Sequence, residues 1–403
     1  MPEKTSIMQN RKPTFLVLVF FMFWFTGAGA FELTSRAEIS ILTCSPGDEA
    51  YSVYGHSAIR VNDPALNYDI VFNYGIFDFS SSNFVLRFAK GQTDYLLGAT
   101  KFSSFINEYI YYERSVFEQQ LNLTQTEKQK IFDFLLWNAA PENRVYRYNF
   151  FFDNCASRVR DVIAQNVEGG IEFTDRASGK TLRDLIRDYQ QKLPWLNFGV
   201  DFLVGAEADR KATLQEEMFL PDYVMKHFAS AQRAASGEPI VASSQVLYRA
   251  PKHVLRKITL ISPFAVFMLL LAVVMLFSMR EFRLGEMKPS FDFIVFFING
   301  FAGIFIGWFV LFSEHPAMSP NYNLLWLFPL NFIFVFLWLA KKWRPFLKNY
   351  HLFISAWWIL FIAAGTILPQ TFHPVFFLMT ATFLIRPLLH SILILKERRR
   401  IQT

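Results

Sequence analysis

Five long apolar runs in the last third of the chain constrain its fold more than any other sequence feature. They lie at 258–279, 291–312, 323–340, 351–368 and 374–395. Each has about the twenty residues that an α-helix needs to cross a bilayer. The whole chain is 52% hydrophobic and contains 47 Phe, yet residues 31–255 have the composition of an ordinary soluble domain. We therefore expect a soluble domain at 31–255 and an all-α membrane domain of five transmembrane helices at 256–403.

The loops between these runs differ in charge, which indicates their orientation. Residues 313–322 and 370–373 contain no Lys or Arg, whereas the other connections and the C-terminus are basic. The basic residues are Arg280, Arg283, Lys288, Lys341, Lys342, Arg344, Lys348, Lys396, Arg398, Arg399 and Arg400. Since basic loops stay on the cytoplasmic side, residues 31–255 are expected on the opposite side of the membrane. The net charge of +6 includes these clusters and does not indicate a nucleic-acid partner.

The N-terminus has the pattern of an export signal. Basic residues precede an apolar run at 15–25, and the segment TGAGA ends in small residues at Ala30. This pattern predicts a signal peptide at 1–30, cleaved after Ala30, with an uncleaved membrane anchor as the alternative. Either outcome places the soluble domain outside the cytoplasm, in agreement with the loop charges.

The stretch RVYRYNFFFDNCASRVRD, at 144–161, carries the main candidate for chemistry. Its aromatic first half favours a strand, and its second half has helical spacing, with Asp153 and Asn154 at the junction where a helix N-cap belongs. Cys155 is therefore expected in the first turn of a helix, where free N–H groups and the helix dipole favour a thiolate. Cys155 is either a nucleophile or a small buried apolar residue.

A thiol nucleophile needs a base and a group that orients the base. His56, which follows Gly55 near the start of a predicted strand, is the best-placed histidine, and we interpret His227 as structural. Asn73 on the neighbouring strand is the preferred orienting group, with Asp69 and Asp78 as rivals. Three further polar residues either place substrate and stabilise an oxyanion or serve as caps and surface groups. They are Tyr54, Arg60 and Asn154.

Other chemistries lack the residues that they need. The chain has no CxxC or HxxxH near His56 and Cys155, so no metal site is expected, and no GxSxG indicates a serine enzyme. No organic cofactor is suggested. A disulfide between Cys44 and Cys155 is the serious alternative, because the compartment is oxidising, and it would remove the nucleophile.

Polar residues in the two outward-facing loops are candidates for substrate binding, with ordinary interfacial loop residues as the alternative. They are Glu314, His315, Asn321 and Asn323, with His373 in the second loop. Arg386 lies within the last apolar run and must find a partner or extend to the membrane surface. The apolar segment 194–204 is too short to span a bilayer, and we expect a core element there rather than a segment on the membrane surface.

Several stretches together resemble a known family. A histidine in GHSAIRV followed later by a cysteine in FDNCASR is similar to the permuted papain-like fold of lecithin–retinol acyltransferase and NlpC-type enzymes. The chain resembles more closely the bacterial Lnb lipoprotein N-acyltransferases, from about Ile39 to Arg386. The stretches that carry this resemblance are SPGDEAYSVYGHSAIRV, FNYGIFDF, LNLTQTEK, ENRVYRYNFFFDNCASRVRD, FLPDY and SEHPAMSPNYNLLWLFPLN.

The resemblance implies an α+β permuted papain-like domain in the periplasm, attached to a multi-pass domain in the bacterial inner membrane. It implies that Cys155 is the nucleophile and His56 its base; Asn73 remains our inference from the residues. The implied reaction moves an acyl chain from a membrane phospholipid, through a Cys155 thioester, to the α-amino group of the diacylglyceryl-cysteine of lipoproteins. The implied partners are phospholipid, lipoproteins and the bilayer. A membrane-tethered cysteine hydrolase and a non-catalytic sensor are the alternatives.

Overall fold

The computed structural model describes residues 31–77, 86–87, 90–251, 261–285, 287–337 and 341–402. The predicted signal peptide and Asp78 lie outside the described residues. The remainder has the two expected parts: a sheet-rich part comes first, and a part made of apolar helices follows. Both belong to one compact unit, Leu33–Thr403.

Within the described residues, the first part is built on a seven-stranded antiparallel sheet with the order β6-β4-β3-β2-β1-β5-β9. Its strands are β1 (Glu38–Cys44), β2 (His56–Asp63), β3 (Tyr68–Ile76), β4 (Asp94–Lys101), β5 (Val116–Leu121), β6 (Val145–Arg147) and β9 (Val241–Tyr248). A separate pair is formed by β7 (Ile171–Phe173) and β8 (Ala231–Arg233). The strands predicted for His56 and Asn73 are present as β2 and β3, and β1 and β2 lie at the centre of the sheet.

The first part also contains the helices α1 (Phe102–Tyr111), α2 (Gln125–Ala139), α3 (Cys155–Asn166), α4 (Leu182–Gln190), α5 (Pro194–Leu203), α6 (Leu214–Glu217) and α7 (Pro221–Ser230). Some of these helices cover the two faces of the sheet. Ile59 and Phe72 belong to the face that packs against α2, α3 and α7. Ala58 and Val71 belong to the other face, which packs against α1. Because side chains alternate between the two faces along β2 and β3, each side chain near the predicted site lies either on the α1 face or on the face covered by α2, α3 and α7.

The strand predicted before Cys155 is shorter than expected. It ends at Arg147, because the side chain of Asn149 accepts hydrogen bonds from the backbone N–H groups of Phe151 (3.2 Å) and Phe152 (3.3 Å). Such local bonds turn the chain and compete with a sheet ladder. The aromatic residues after Arg147 therefore form a turn that delivers the chain to α3.

The second part contains five segments long and apolar enough to span a membrane, counted among the described residues. Its helices are α8 (Pro263–Leu284), α9 (Pro289–Phe312), α10 (Leu330–Leu337), α11 (Arg344–Ala364) and α12 (Pro374–Gln402). The five-helix prediction is confirmed, and the boundaries differ by a few residues from those expected, as helix ends commonly do.

The sequence predicts one continuous helix for the third apolar run, 323–340, but the structure divides it. Two short 3₁₀ turns, Pro316–Met318 and Tyr322–Leu325, precede α10. Prolines lack the N–H that a helix interior needs, and three lie between the end of α9 and the start of α10. They are Pro316, Pro320 and Pro329. Close packing adds a second constraint, since a Cβ on Gly300 or Gly303 of α9 would lie within 2.6 Å of backbone atoms here.

Arg386 finds partners inside the membrane domain, as its position in an apolar run requires. Its guanidinium is fully buried and donates to Asp292 at 2.6 Å and to Glu281 at 2.6 Å. It also donates to the backbone carbonyl of Lys288 at 3.1 Å. These contacts tie the cytoplasmic halves of α8, α9 and α12 together, because an unpaired charge there would be costly.

The helix α5 joins the two parts as a core element, and its apolar residues pack on the hydrophobic clusters of both. The Phe198 ring lies 5.5 Å from that of Phe267 in α8 and 5.6 Å from that of Phe376 in α12. On the opposite side, buried Asp201 receives a hydrogen bond from Arg183 of α4 at 2.8 Å. Its apolar face packs on the membrane domain because the transmembrane helices offer an aromatic surface there.

Candidate active site

The helix α3 begins at Cys155 because Asn154 caps it. The Asn154 side-chain oxygen accepts hydrogen bonds from the N–H groups of Ala156 (2.9 Å) and Ser157 (3.0 Å). Its amide nitrogen donates to the carbonyls of Phe150 and Phe219, both at 2.8 Å. Every polar atom of this buried side chain is used within the fold. Of the two roles expected for Asn154, this geometry favours the helix cap over substrate or oxyanion binding.

Cys155 lies at the end of the sheet where β2 and β3 stop pairing. The ladder between these strands extends from Asp63–Tyr68 to Ile59–Phe72 and no further. Cys155 is partly exposed, and a Cβ on Gly75 would lie 3.6 Å from the Cys155 Cβ. Its thiol also lies near the backbone N–H of Ser57, the residue after His56. Because β2 and β3 no longer pair at this end, the thiol can approach the backbone N–H of Ser57 in β2.

Cys155 is a thiol at rest rather than the expected thiolate. Burial raises the pKa of Cys155, because desolvation disfavours the charged form. The backbone N–H groups of Ser57, Ala156 and Cys155 itself oppose this shift, as does the charge of Arg114. The first turn of a helix does favour a thiolate, but here desolvation outweighs it, so attack requires a base.

His56 is available as that base. Its Nε2 lies 3.3 Å from the Asn73 side-chain oxygen, and the Asn73 amide nitrogen donates to Thr100 at 3.2 Å. Burial, with a smaller contribution from Arg114, lowers the pKa of His56 to about 4. The imidazole is therefore neutral at pH 7 and can accept a proton. The structure brings His56 and Asn73 together as the sequence predicted.

The thiol and the imidazole approach from different faces of the sheet. His56 and Asn73 alternate with Ser57 and Phe72, so they lie on the α1 face, whereas Cys155 comes from α3 on the other. Among the described residues, no hydrogen bond joins the imidazole to the thiol in this resting structure. Catalytic hydrogen bonds are often long without substrate, so this arrangement keeps both groups as candidates.

Two glycines shape this end of the sheet. Gly55, directly before His56, has φ 84°, and a Cβ there would lie 2.8 Å from the carbonyl oxygen of Cys44. Gly75, beside Cys155, has φ 96°. Both positions need the left-handed conformation that glycine adopts without strain.

Arg114 is a charged residue of this region that the sequence reasoning missed. Its Nε donates to the Ser45 carbonyl at 2.8 Å, and its guanidinium lies 4.9 Å from the centre of the Tyr109 ring. Within the described structure, its buried Nη2 has no hydrogen-bond partner. Its positive charge lowers the pKa of both His56 and Cys155. No local signal marks it, because only the pairing of β5 with β1 brings it here.

Arg60 is held in an ion-pair cluster rather than directed at a substrate. It donates to both carboxylate oxygens of Asp69, at 2.7 and 2.8 Å, and to Glu118 at 3.0 Å. Its guanidinium also lies 3.5 Å from the centre of the Phe102 ring. These contacts correct the expectation that Arg60 places substrate. They also occupy Asp69, a rival of Asn73.

Tyr54 packs between the turn that precedes α3 and the helix α4. Its ring lies 4.8 Å from that of Phe150 and 5.9 Å from that of Tyr189, and its hydroxyl accepts a hydrogen bond from Gln190 at 2.6 Å. The structure therefore places Tyr54 near the site, with its polar atom already engaged by α4.

The outward-loop candidates connect the two parts of the molecule. Glu314 accepts from Gln92 at 2.7 Å, and its backbone N–H donates to the Lys90 carbonyl at 2.8 Å. His315 follows directly, and its backbone nitrogen would lie 3.1 Å from a Cβ on Gly91. This geometry favours the interfacial interpretation of Glu314 and His315 over a substrate-binding one.

Asn321 and Asn323 hold the end of α5. Asn321 donates to the Leu203 carbonyl at 2.9 Å, and buried Asn323 donates to the Phe202 carbonyl at 3.0 Å. Asn323 also accepts a hydrogen bond from Trp326 at 2.9 Å. Their amides satisfy carbonyls at a helix C-terminus, so the expectation that they bind substrate is replaced by a joining role.

Both cysteines are free thiols, which removes the disulfide alternative. The Cys44 side chain packs on the α1 face and hydrogen-bonds Tyr109, away from α3. Burial raises the pKa of Cys44 to about 12. Fully buried His227 lies between Asp175 (3.3 Å) and Glu217 (3.1 Å), an arrangement that fits the structural role expected of it.

Two models of a protein family match the chain, one for each part. The Lnb N-terminal periplasmic domain matches residues 32–192, and the Lnb transmembrane domain matches residues 256–398. No curated protein and no solved structure matches. The permuted papain-like relation therefore stays a prediction, whereas the two-part architecture and its placement in the membrane have independent support.

Proposed function

Because the chain belongs to the Lnb family, as a multi-pass membrane protein with a periplasmic domain, we propose that it is a lipoprotein N-acyltransferase. The two domains fit a membrane-anchored enzyme that modifies lipoproteins. The acyl donor is a membrane phospholipid, and the acceptor is the α-amino group of the diacylglyceryl-cysteine at a lipoprotein N-terminus.

In the first half-reaction, His56 acts as a general base. Its neutral imidazole takes the proton of the Cys155 thiol as the sulfur attacks an ester carbonyl of the phospholipid. The backbone N–H of Ser57, which lies near the thiol, can stabilise the negative charge that develops on the carbonyl oxygen. The ester C–O bond breaks, the leaving alkoxide takes the proton from His56, and a lysophospholipid departs.

In the second half-reaction, the free amine of the lipoprotein attacks the Cys155 thioester. An amide bond forms, the C–S bond breaks, and His56 moves the amine proton to the departing thiolate. Transfer competes with hydrolysis, so water must be excluded from the thioester. The aromatic side chains around the turn, including Tyr54 and Phe150, give the site an apolar wall.

One observation carries the proposal: a cysteine at the first position of a helix lies beside a strand whose neutral histidine is held by Asn73. This group is attached to five transmembrane segments through α5 and the loop that contains Asn323. A soluble nucleophile held against a membrane domain suits a substrate whose acyl chains lie in the bilayer.

The test is mass spectrometry of lipoprotein N-termini from bacteria in which this protein is the only N-acyltransferase. We expect the wild type and a Cys44→Ala control to yield the additional amide-linked acyl chain, and Cys155→Ala to reduce it to background. Acylation by Cys155→Ala would exclude Cys155 as the nucleophile. Release of free fatty acid without N-acylation by the wild type would replace transfer with hydrolysis.

A further inference from the structure

A polar cavity of about 310 Å³ lies where α4, α5 and the last outward loop meet. Its wall is one face of α4, since its residues there recur at helical spacing. The residues that matter below are Asp184, Arg187, Asp188, Gln190, Asn197 and His373. None belongs to the Cys155–His56 pair.

The cavity lies at the outer surface of the membrane domain. His373 occupies the short connection between α11 and α12, directly before Pro374 begins the last span. The first turn of α5 is fixed there by Trp195, whose indole N–H donates to the Ile261 carbonyl near the start of α8 at 2.9 Å. The cavity thus lies beside the outward-facing ends of the apolar helices, where a phospholipid headgroup could reach it.

The lining offers charges of both signs. Arg187, about a quarter exposed, donates to one oxygen of Asp201 through Nε (3.1 Å) and Nη2 (2.7 Å). Among the described contacts, Asp184 and Asp188 each use only Oδ2, for the Thr181 N–H and for Lys180. Each group therefore keeps hydrogen-bonding capacity for a ligand. A guanidinium suits a phosphate, and carboxylates suit an ammonium group.

A continuous set of contacts leads from this cavity to the candidate active site. Gln190 accepts from Asn197 at 3.1 Å and donates to the Tyr54 hydroxyl at 2.6 Å. The Tyr54 ring packs on Phe150, whose carbonyl holds the Asn154 cap of the Cys155 helix. Gln190, Tyr54 and Phe150 thus connect the cavity to the turn that precedes Cys155.

We propose that this cavity binds the phosphate–ammonium headgroup of the donor phospholipid, with Arg187 on the phosphate and Asp188 on the ammonium group. The inference rests on the proposed function, for which it supplies the class of donor. A donor without an ammonium group would leave the two carboxylates beside another anion, which is unfavourable.

The test uses the full-length Cys155→Ala protein, which cannot turn lipid over, in nanodiscs that contain both phosphatidylethanolamine and phosphatidylglycerol. Native mass spectrometry then counts the lipids that stay bound when the protein is released from the nanodiscs. We expect phosphatidylethanolamine to be retained preferentially and Arg187→Gln to weaken its retention by about tenfold, the loss of one charge-assisted hydrogen bond. Arg183 still pairs with Asp201 in that variant, which protects the fold.

Asp188→Asn tests the ammonium end, and Asp133→Asn, an exposed carboxylate change on α2, is its matched control. We expect Asp188→Asn to abolish the preference for phosphatidylethanolamine and Asp133→Asn to leave it unchanged. Equal retention of both lipids by the parent protein, or no effect of Arg187→Gln, would refute the assignment.

Soluble competitors identify the occupant. Glycerophosphoethanolamine should displace the lipid, whereas inorganic phosphate at the same concentration should not; equal displacement would indicate a general anion site and overturn the proposal. Displacement by a diacylglyceryl-cysteine peptide would assign the cavity to the acceptor amine instead. Since binding is measured without turnover, loss of headgroup preference with N-acylation intact would refute this inference alone. Retained preference without N-acylation would refute the transferase.

Discussion

At the scale of single residues, the candidate site consists of groups that are neutral at rest. Burial raises the pKa of Cys155 and lowers that of His56, so the two groups are an uncharged thiol and an uncharged imidazole rather than a preformed ion pair. This arrangement differs from the activated thiolate that the helix N-terminus alone would suggest. It makes proton transfer part of the attack and gives the base a low working pKa.

The pH dependence of acyl transfer should reflect the lowered pKa of His56. His56 loses its basic form only when it is protonated, which in the folded protein occurs near pH 4 rather than at the ordinary value of 6.5. We expect the acid limb of the rate profile, measured in vesicles with a fluorescent phospholipid donor, to fall below about pH 5. An acid limb near pH 6.5 would contradict the assignment of His56 as a buried neutral base.

Arg114 provides the control for that profile. Its charge lowers the pKa of His56 and of Cys155, so Arg114→Gln should shift the acid limb to higher pH. The same change should slow alkylation of Cys155 by iodoacetamide at neutral pH, because less thiolate is present. Arg114→Lys keeps the charge and should keep both properties near those of the wild type.

At the scale of elements, the turn before α3 determines where the nucleophile lies. Asn149 turns the chain and Asn154 caps the helix, so two asparagine side chains position one cysteine. The cap Thr124 of α2 does the same for another helix. The sequence TQTE, with Glu127 three residues after Thr124, predicts a capping box there, and the reciprocal bonds between the two residues confirm it.

The two caps form a matched pair for a test. Asn154→Ala and Thr124→Ala should each lower the free energy of unfolding by about 1 kcal/mol, measured by chemical denaturation. Only Asn154→Ala should change the rate at which Cys155 is alkylated, since only that cap is adjacent to the thiol. If Thr124→Ala changed the alkylation rate equally, general destabilisation rather than cap geometry would explain the effect.

At the scale of the whole molecule, backbone and side-chain bonds attach the periplasmic part to the membrane part. The N–H of Gly205 donates to the Ala317 carbonyl at 2.7 Å, next to the bonds made by Asn321 and Asn323. The loop before α10 is interrupted by prolines and supplies these bonds.

Asn323→Ala should loosen this attachment. The change leaves the buried Phe202 carbonyl and the Trp326 indole N–H without their partner, at a cost of about 1–3 kcal/mol. We expect faster hydrogen exchange in α5, measured by mass spectrometry, and slower acyl transfer. The exposed Asn349, which accepts a hydrogen bond from Arg398 on the cytoplasmic side, gives the control Asn349→Ala, which should change neither property.

The sequence by itself determined the features that depend on neighbouring residues. The five apolar segments, their orientation, the first strands, the Thr124 cap and the position of Cys155 at a helix start all follow from length, periodicity and local hydrogen bonding. Asn73 beside His56 was also accessible, because adjacent strands in a hairpin place diagonal residues on one face.

Tertiary structure alone decided which polar residues remain available for chemistry. Arg60, Asn154, Glu314 and Asn323 looked like substrate contacts, but partners distant in the chain use their polar atoms. The sequence did not predict the position of Arg114 or the cavity around Arg187, because both also depend on contacts between residues distant in the chain. Burial and pairing depend on contacts between residues tens to hundreds of positions apart, and these also set the protonation state of each group.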